Sequence, residues 1–235
     1  MTSTEAPVVL ILGAGRNIGQ HTAQHFEAKG YRVALVARNI NTDDSTETRL
    51  HIQCDLSDPN ALHDVFSRVN AAFGVPSVVI YNAYGLTLTS PHDIFSPTTE
   101  QFTRDLNINT TSPYVAAQLA VRGFETLPAS AARTFLYTGN ALNTIAVPQF
   151  FTLGIGKAAT AHMIEAAAVA YREKGFKFYY VDERKPDGTS GPDIDGAAHA
   201  QLFAELAESK DQGPWQQTFV KGEGYKAFLV GEGKI

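Results

Sequence analysis

Val8-Val9-Leu10-Ile11-Leu12-Gly13-Ala14-Gly15-Arg16-Asn17-Ile18-Gly19 runs on to Gly30 and into Tyr31-Arg32-Val33-Ala34-Leu35-Val36-Ala37-Arg38. Five consecutive apolar residues rich in Val and Ile predict a strand buried on both faces. A glycine cluster follows, then a helix-period segment with Ile18, Ala23, Phe26 and Ala28, then a second buried strand. Strand, glycine turn, helix and strand within about thirty residues is the context a dinucleotide site needs. Glycines let the backbone turn tightly and approach a pyrophosphate, while the helix N-terminus offers free N–H groups and the positive end of its dipole. Gly13, Gly15, Arg16, Asn17, Ile18 and Gly19 are therefore candidate cofactor-binding residues.

Working outward, the remaining chain repeats the alternation. Asn39 to Arg49 is polar and predicts a loop, and Leu50 to Cys54 a third strand. Ser57-Asp58-Pro59 predicts a helix start, with Ser57 or Asp58 as its cap, running to Phe73. Ser77 to Tyr81 reads as a fourth strand. Thr98-Thr99-Glu100-Gln101 fits another helix start, and that helix continues past Asn109 to about Glu125. Thr134 to Thr138 is a fifth strand, Lys157 to Glu173 a helix opening at the lysine, and Phe176 to Val181 a sixth strand. Gly196 to Glu208 predicts the last helix, followed by a strand at Gln217–Val220 or Tyr225–Val230. Such alternation implies an α/β fold, a Rossmann-like doubly wound parallel sheet with helices on both faces, in a single domain spanning 1–235.

Composition narrows the function. The 235 residues carry a net charge of −5 and lack the clustered Lys and Arg of a nucleic-acid binder. No apolar stretch reaches membrane-spanning length, and the first residues lack a basic segment followed by a long apolar run, so a cytoplasmic protein with no membrane partner is expected. Cys54 is the only cysteine; it lies in a strand and reads as a packed thiol. The seven histidines show no ligand spacing, so no metal is expected, and His162, inside an apolar helix, reads as packed. That helix is apolar around so much of its surface that a homodimer or homotetramer is expected to cover its outer side.

The ordered motifs resemble the short-chain dehydrogenase/reductase family from about Val8 to Tyr180. Its glycine motif is matched at Gly13 and Gly19, with Asn17 where the middle glycine stands; asparagine tolerates left-handed backbone, so the turn survives. The resemblance implies that Asp55-Leu56 meets an adenine amino group, that Asn82-Ala83 corresponds to the family's element after strand four, and that Asn109 holds a water in a proton relay. It further implies that Lys157 binds the nicotinamide ribose. Neither Arg16 nor Arg38, at the end of strand two, is acidic, which favours NADP(H) over NAD(H) because a 2′-phosphate is held by cationic side chains.

The resemblance breaks where the chemistry sits. The family's tyrosine acid stands four residues before the lysine and its serine thirteen earlier; here those positions are Leu153 and Asn140. Val181-Asp182-Glu183-Arg184 replaces the usual Pro-Gly and reads by default as a charged surface loop. Asn140, Lys157, Asn109 and Asp182 are the candidate catalytic residues, with Asp182 or Glu183 able to stabilise a cationic carbon electrostatically. Three readings follow. One is a reductase acting on a small, already activated substrate (iminium, enone or carbonyl). The second is a non-redox enzyme keeping the cofactor as scaffold, and the third a catalytically inactive NADP(H)-binding sensor or partner protein.

Overall fold

A computed structural model describes residues 6–191 and 193–228. The strands are β1 (Val8–Leu12), β2 (Arg32–Ala37), β3 (Arg49–Gln53), β4 (Val78–Tyr81), β5 (Thr134–Thr138), β6 (Lys177–Arg184), β7 (Gln216–Val220) and β8 (Gly224–Tyr225). They form one sheet in the order β3-β2-β1-β4-β5-β6-β7-β8. The first seven are parallel, and only the short β8 runs antiparallel, against β7. Gln217–Val220 falls within β7, and Tyr225, the start of the other alternative, ends β8; the far end of Tyr225–Val230 lies outside the described residues.

The helices are α1 (Ile18–Ala28), α2 (Ala61–Phe73), α3 (Thr99–Leu106), α4 (Ser112–Phe124), α5 (Phe151–Ala170) and α6 (Gly196–Glu208). Alternate residues of each parallel strand feed opposite faces of the sheet. Val9, Ile11 and Leu35 pack under α1 and α6 with Phe26 and Phe203. On the other face Leu10, Leu12, Val79 and Phe135 meet Phe66 of α2, Ala116 and Phe124 of α4 and Ile164 of α5. Full burial of each such aliphatic or aromatic side chain contributes about 1.5–3 kcal/mol, which is why the sheet strands read as continuous apolar runs.

Several boundaries differ from the sequence reading, each for a local reason. Asp58 accepts from the Asn60 amide at 3.0 Å, closing a turn, so α2 starts at Ala61 with no side-chain cap. Thr98 and Gln101 form a reciprocal capping box for α3. Its continuation is a widened π-helical turn over Asn107–Thr111 before α4. There the carbonyl of Ile108 accepts from Tyr81 Oη at 2.7 Å, and that of Asn109 from Tyr137 Oη at 3.1 Å and Thr160 Oγ1 at 2.6 Å. Side chains from the sheet and α5 thus replace part of the regular helical ladder. Helix α5 begins at Phe151, so Lys157 lies in its second turn instead of opening it. His162 is exposed rather than packed, as are Ala158, Ala159 and Ala166, and Val169 is 73% exposed. Strand β6 extends through Arg184, making the expected charged loop a buried strand end.

Candidate functional site

Strands β1 and β4 are neighbours whose connections leave in opposite directions, and ligands of open parallel sheets bind in the crevice at such a switch point. A cavity of about 680 Å³ lies there, at the carboxyl ends of β1, β4, β5 and β6. Of the predicted residues, Gly15, Arg16, Asn17, Ile18, Asn82, Asn140, Lys157 and Asp182 line it together. Arg38, Asp55 and Leu56 follow β2 and β3 and are not among its lining; Arg38 and Asp55 are exposed.

The glycine turn is fixed by backbone. Gly13 has φ +99°, and a side chain on it would fall on the Ala83 amide. A Cβ on Gly19 would come within 2.7 Å of the Ala14 Cα, whereas Gly15 faces open space. Asn82 Nδ2 donates to the Gly13 carbonyl at 2.8 Å, and the Gly13 and Ala14 amides donate to Val36, each at 2.9 Å. Asn17 has φ −92°, so no left-handed backbone is required of it. No side chain caps the N-terminus of α1.

The opposite side of the cavity carries its buried ionisable groups. Leu153 and Lys157 stand one turn apart on α5 and both line it. Lys157, 4% exposed, donates to the Thr138 carbonyl at 2.7 Å and lies 4.4 Å from the centroid of the Tyr137 ring. Burial lowers its pKa to about 7, against the opposing pull of the Asp182 carboxylate. Asp182 is wholly buried and accepts from Arg184 Nε at 2.7 Å through Oδ2. Burial raises its pKa to about 6, although Arg184 favours its charged form. Among the described residues, Asp182 Oδ1 and Thr138 Oγ1 have no hydrogen-bond partner.

Asn140 Oδ1 accepts from the Leu142 amide at 3.0 Å, closing a short 3₁₀ turn. Tyr180 pins that loop, its hydroxyl donating to the Asn140 carbonyl at 2.8 Å and accepting from its amide at 3.1 Å. Asn109 is buried away from Lys157's cavity. Its Nδ2 donates to the Gly85 carbonyl at 2.7 Å and its Oδ1 accepts from the Gly85 amide at 3.0 Å. Trp215 packs edge-on against Tyr180, centroids 6.4 Å apart, and is not among the cavity lining. Burial pushes the Cys54 thiol up. Among the described residues no group of His, Cys, Asp and Glu is arranged to hold a metal ion, and no helix is long and apolar enough to cross a membrane.

Sequence reasoning missed His199, which lines the cavity with Nδ1 3.3 Å from Glu183 Oε2. It also missed the apolar wall of Leu142, Ile145, Val147 and Phe150. The one available signal was the Asp195–His199 spacing at the start of α6, where His199 Nδ1 lies 3.0 Å from the Asp195 carbonyl.

Fold and cavity together define a Rossmann-like α/β protein with its ligand crevice at the switch point. A family profile described as Enoyl-(Acyl carrier protein) reductase matches residues 13–204. The short chain dehydrogenase/reductase dmxR12 of Cryptosporiopsis sp. (strain 8999) is 48% identical over 95% of each chain. The chain belongs to the short-chain dehydrogenase/reductase family of oxidoreductases. Its fold is shared by a metagenomic short-chain oxidoreductase solved in complex with NADP, at TM-score 0.75 and 19% identity over 92% of this chain and 98% of that one. ElxO, solved with NADP bound, superposes at TM-score 0.77 and 17% identity over 92% and 96%.

Proposed function

We propose that this chain is an NADP(H)-dependent oxidoreductase that delivers hydride to a small, already polarised organic substrate (an iminium, enone or carbonyl) without the family's tyrosine acid. The observation carrying this is one cavity that joins the glycine turn to Lys157 and, one helical turn before it, to Leu153. The residues present fit a dinucleotide: Gly15 leaves the approach to the turn open and the α1 N-terminus has no side-chain cap to compete for its amides. When bound, the nicotinamide supplies the hydride.

Gly13 to Gly19 hold the pyrophosphate, Arg16 and Arg38 the 2′-phosphate, Asp55, Leu56, Asn82 and Ala83 the adenosine side, and Lys157 the ribose. Lys157 Nζ also holds the proton at the cavity floor, because Leu153 has none to give. Asn140 keeps its Nδ2 for a substrate oxygen while its Oδ1 serves Leu142. Asp182 is offset by Arg184 and tunes Lys157 instead of facing a cationic substrate alone. Leu142, Ile145, Val147, Phe150 and Leu153 suit a substrate with a largely apolar body. The exposed face of α5, from Ala158 to Val169, is covered by a second copy of the chain.

Fluorescence titration with NADPH and NADH tests the reading, followed by NADPH oxidation with a panel of aldehydes, quinones and cyclic imines. We expect tighter binding of NADPH. With substrates that need a proton, turnover falls as pH rises through about 7, where Lys157 loses its charge. Lys157→Met abolishes that pH step. Binding of neither nucleotide overturns the proposal. Binding without turnover of any substrate supports the sensor reading instead, favoured by the two missing family hydroxyls at Leu153 and Asn140.

A further inference from the structure

Asn17 occupies a position where the family motif has glycine, and its backbone has no need of left-handed freedom. Its side chain is fully engaged across the cavity. Nδ2 donates to the Ile194 carbonyl at 2.8 Å, and Oδ1 accepts from the Gly196 amide at 3.1 Å. Both Asn17 and Ile194 line the cavity. The amide therefore joins the turn on one side to the strap that enters α6 on the other.

The joint is specific to these residues. A side chain at Gly196 would fall on Asn17 Oδ1 and come within 2.7 Å of His21 Nδ1, so α6 can approach α1 this closely only with glycine there. Aspartate at 17 would lack the donor for Ile194, and glycine would lack both groups. The strap has other anchors. Glu183 Oε2 accepts from the Asp195 amide at 2.9 Å, Asp195 caps α6 through the Ala198 amide at 2.9 Å, and Lys221 pairs with the Asp195 carboxylate. Those anchors tie the strap to β6 and to the β7–β8 turn; Asn17 is the tie to the glycine turn.

We infer that Asn17 is a positioning residue that couples the glycine turn to the strap 194–196, so that a nucleotide held by the turn also fixes the roof under which the second ligand binds. This rests on the dinucleotide reading above. Two sites biasing one shared element is the physical content of such coupling.

Amide hydrogen exchange of the whole protein, with and without NADPH at a concentration saturating each variant, tests it. In the unmodified protein, NADPH slows exchange at both 13–20 and 193–198, the latter by about tenfold. In Asn17→Gly, and in Gly196→Ala, which breaks the joint from the strap side, NADPH slows 13–20 alone. A merely structural role would change strap exchange equally with and without NADPH, leaving the NADPH-dependent increment intact, and that result overturns the inference. Protection of 13–20 without 193–198 in the unmodified protein also overturns it while leaving the dinucleotide reading in place. Protection of neither segment sinks both.

Discussion

The turn from Gly13 to Gly19 and the opposite wall from Asp182 to His199 face one cavity but keep their shapes in different ways. The turn is held by backbone meeting backbone, through Gly13 at positive φ against Ala83 and amides donating to Val36. Nothing ionisable is buried in it. The far wall buries Asp182 against Arg184 and sets Glu183 beside His199, so its polar groups depend on partners brought by the chain's own fold. Steric exclusion is a property of each glycine, whereas a buried ion pair fails when either member is lost.

The comparison breaks most forcefully at Arg184. Arg184→Met leaves Asp182 buried without its cation, and we expect a loss of about 3–5 kcal/mol by denaturant titration at pH 8. The sign with pH follows from burial having already raised the Asp182 pKa to about 6. A carboxyl with a raised folded-state pKa costs stability above that value and little once protonated. The loss therefore shrinks toward pH 5, and Asp182→Leu combined with Arg184→Met restores most of it at pH 8. Equal loss in the single and double variants at pH 8 would refute the pairing argument.

Gly13→Ala comes next. The strained backbone costs about 1–3 kcal/mol, with no pH dependence between 5 and 8, because no titrating group takes part; thermal melts at both values check this. Nucleotide affinity, read by fluorescence titration, falls with it as the turn is displaced from Ala83. The smallest stability effect is at Arg38, which is exposed. Arg38→Glu shifts stability by no more than about 0.5 kcal/mol, yet reverses the preference from NADPH toward NADH in competitive titration. Unchanged preference removes Arg38 from the 2′-phosphate site.

The same contrast governs what could be read in advance. Thr134–Thr138 and Gly196–Glu208 have the predicted bounds, because local patterning and, for α6, an Asp195 cap set their ends. Asp182 to Arg184 read as a surface loop because charge in sequence signals solvent unless a partner is known, and His199 lies outside that segment altogether. The sequence reading opens a helix at Lys157, yet α5 already starts at Phe151 and runs through Gly154 and Gly156. The π-helical turn at Asn107–Thr111 was invisible because the hydroxyls that hold it come from Tyr81, Tyr137 and Thr160, on other elements.

By itself the sequence determined the alternation of strands and helices, the glycine turn and the family motifs, since hydrophobic period and backbone permissiveness are local properties. Only the tertiary structure decided that Leu153 and Lys157 share a cavity with the glycine turn, that Asp182 is neutralised by Arg184, and that Asn17 reaches Ile194 and Gly196. The first and last depend on residues far apart in the chain being brought together, and the second on the end of β6 being buried, where a charge must find its partner within the protein itself.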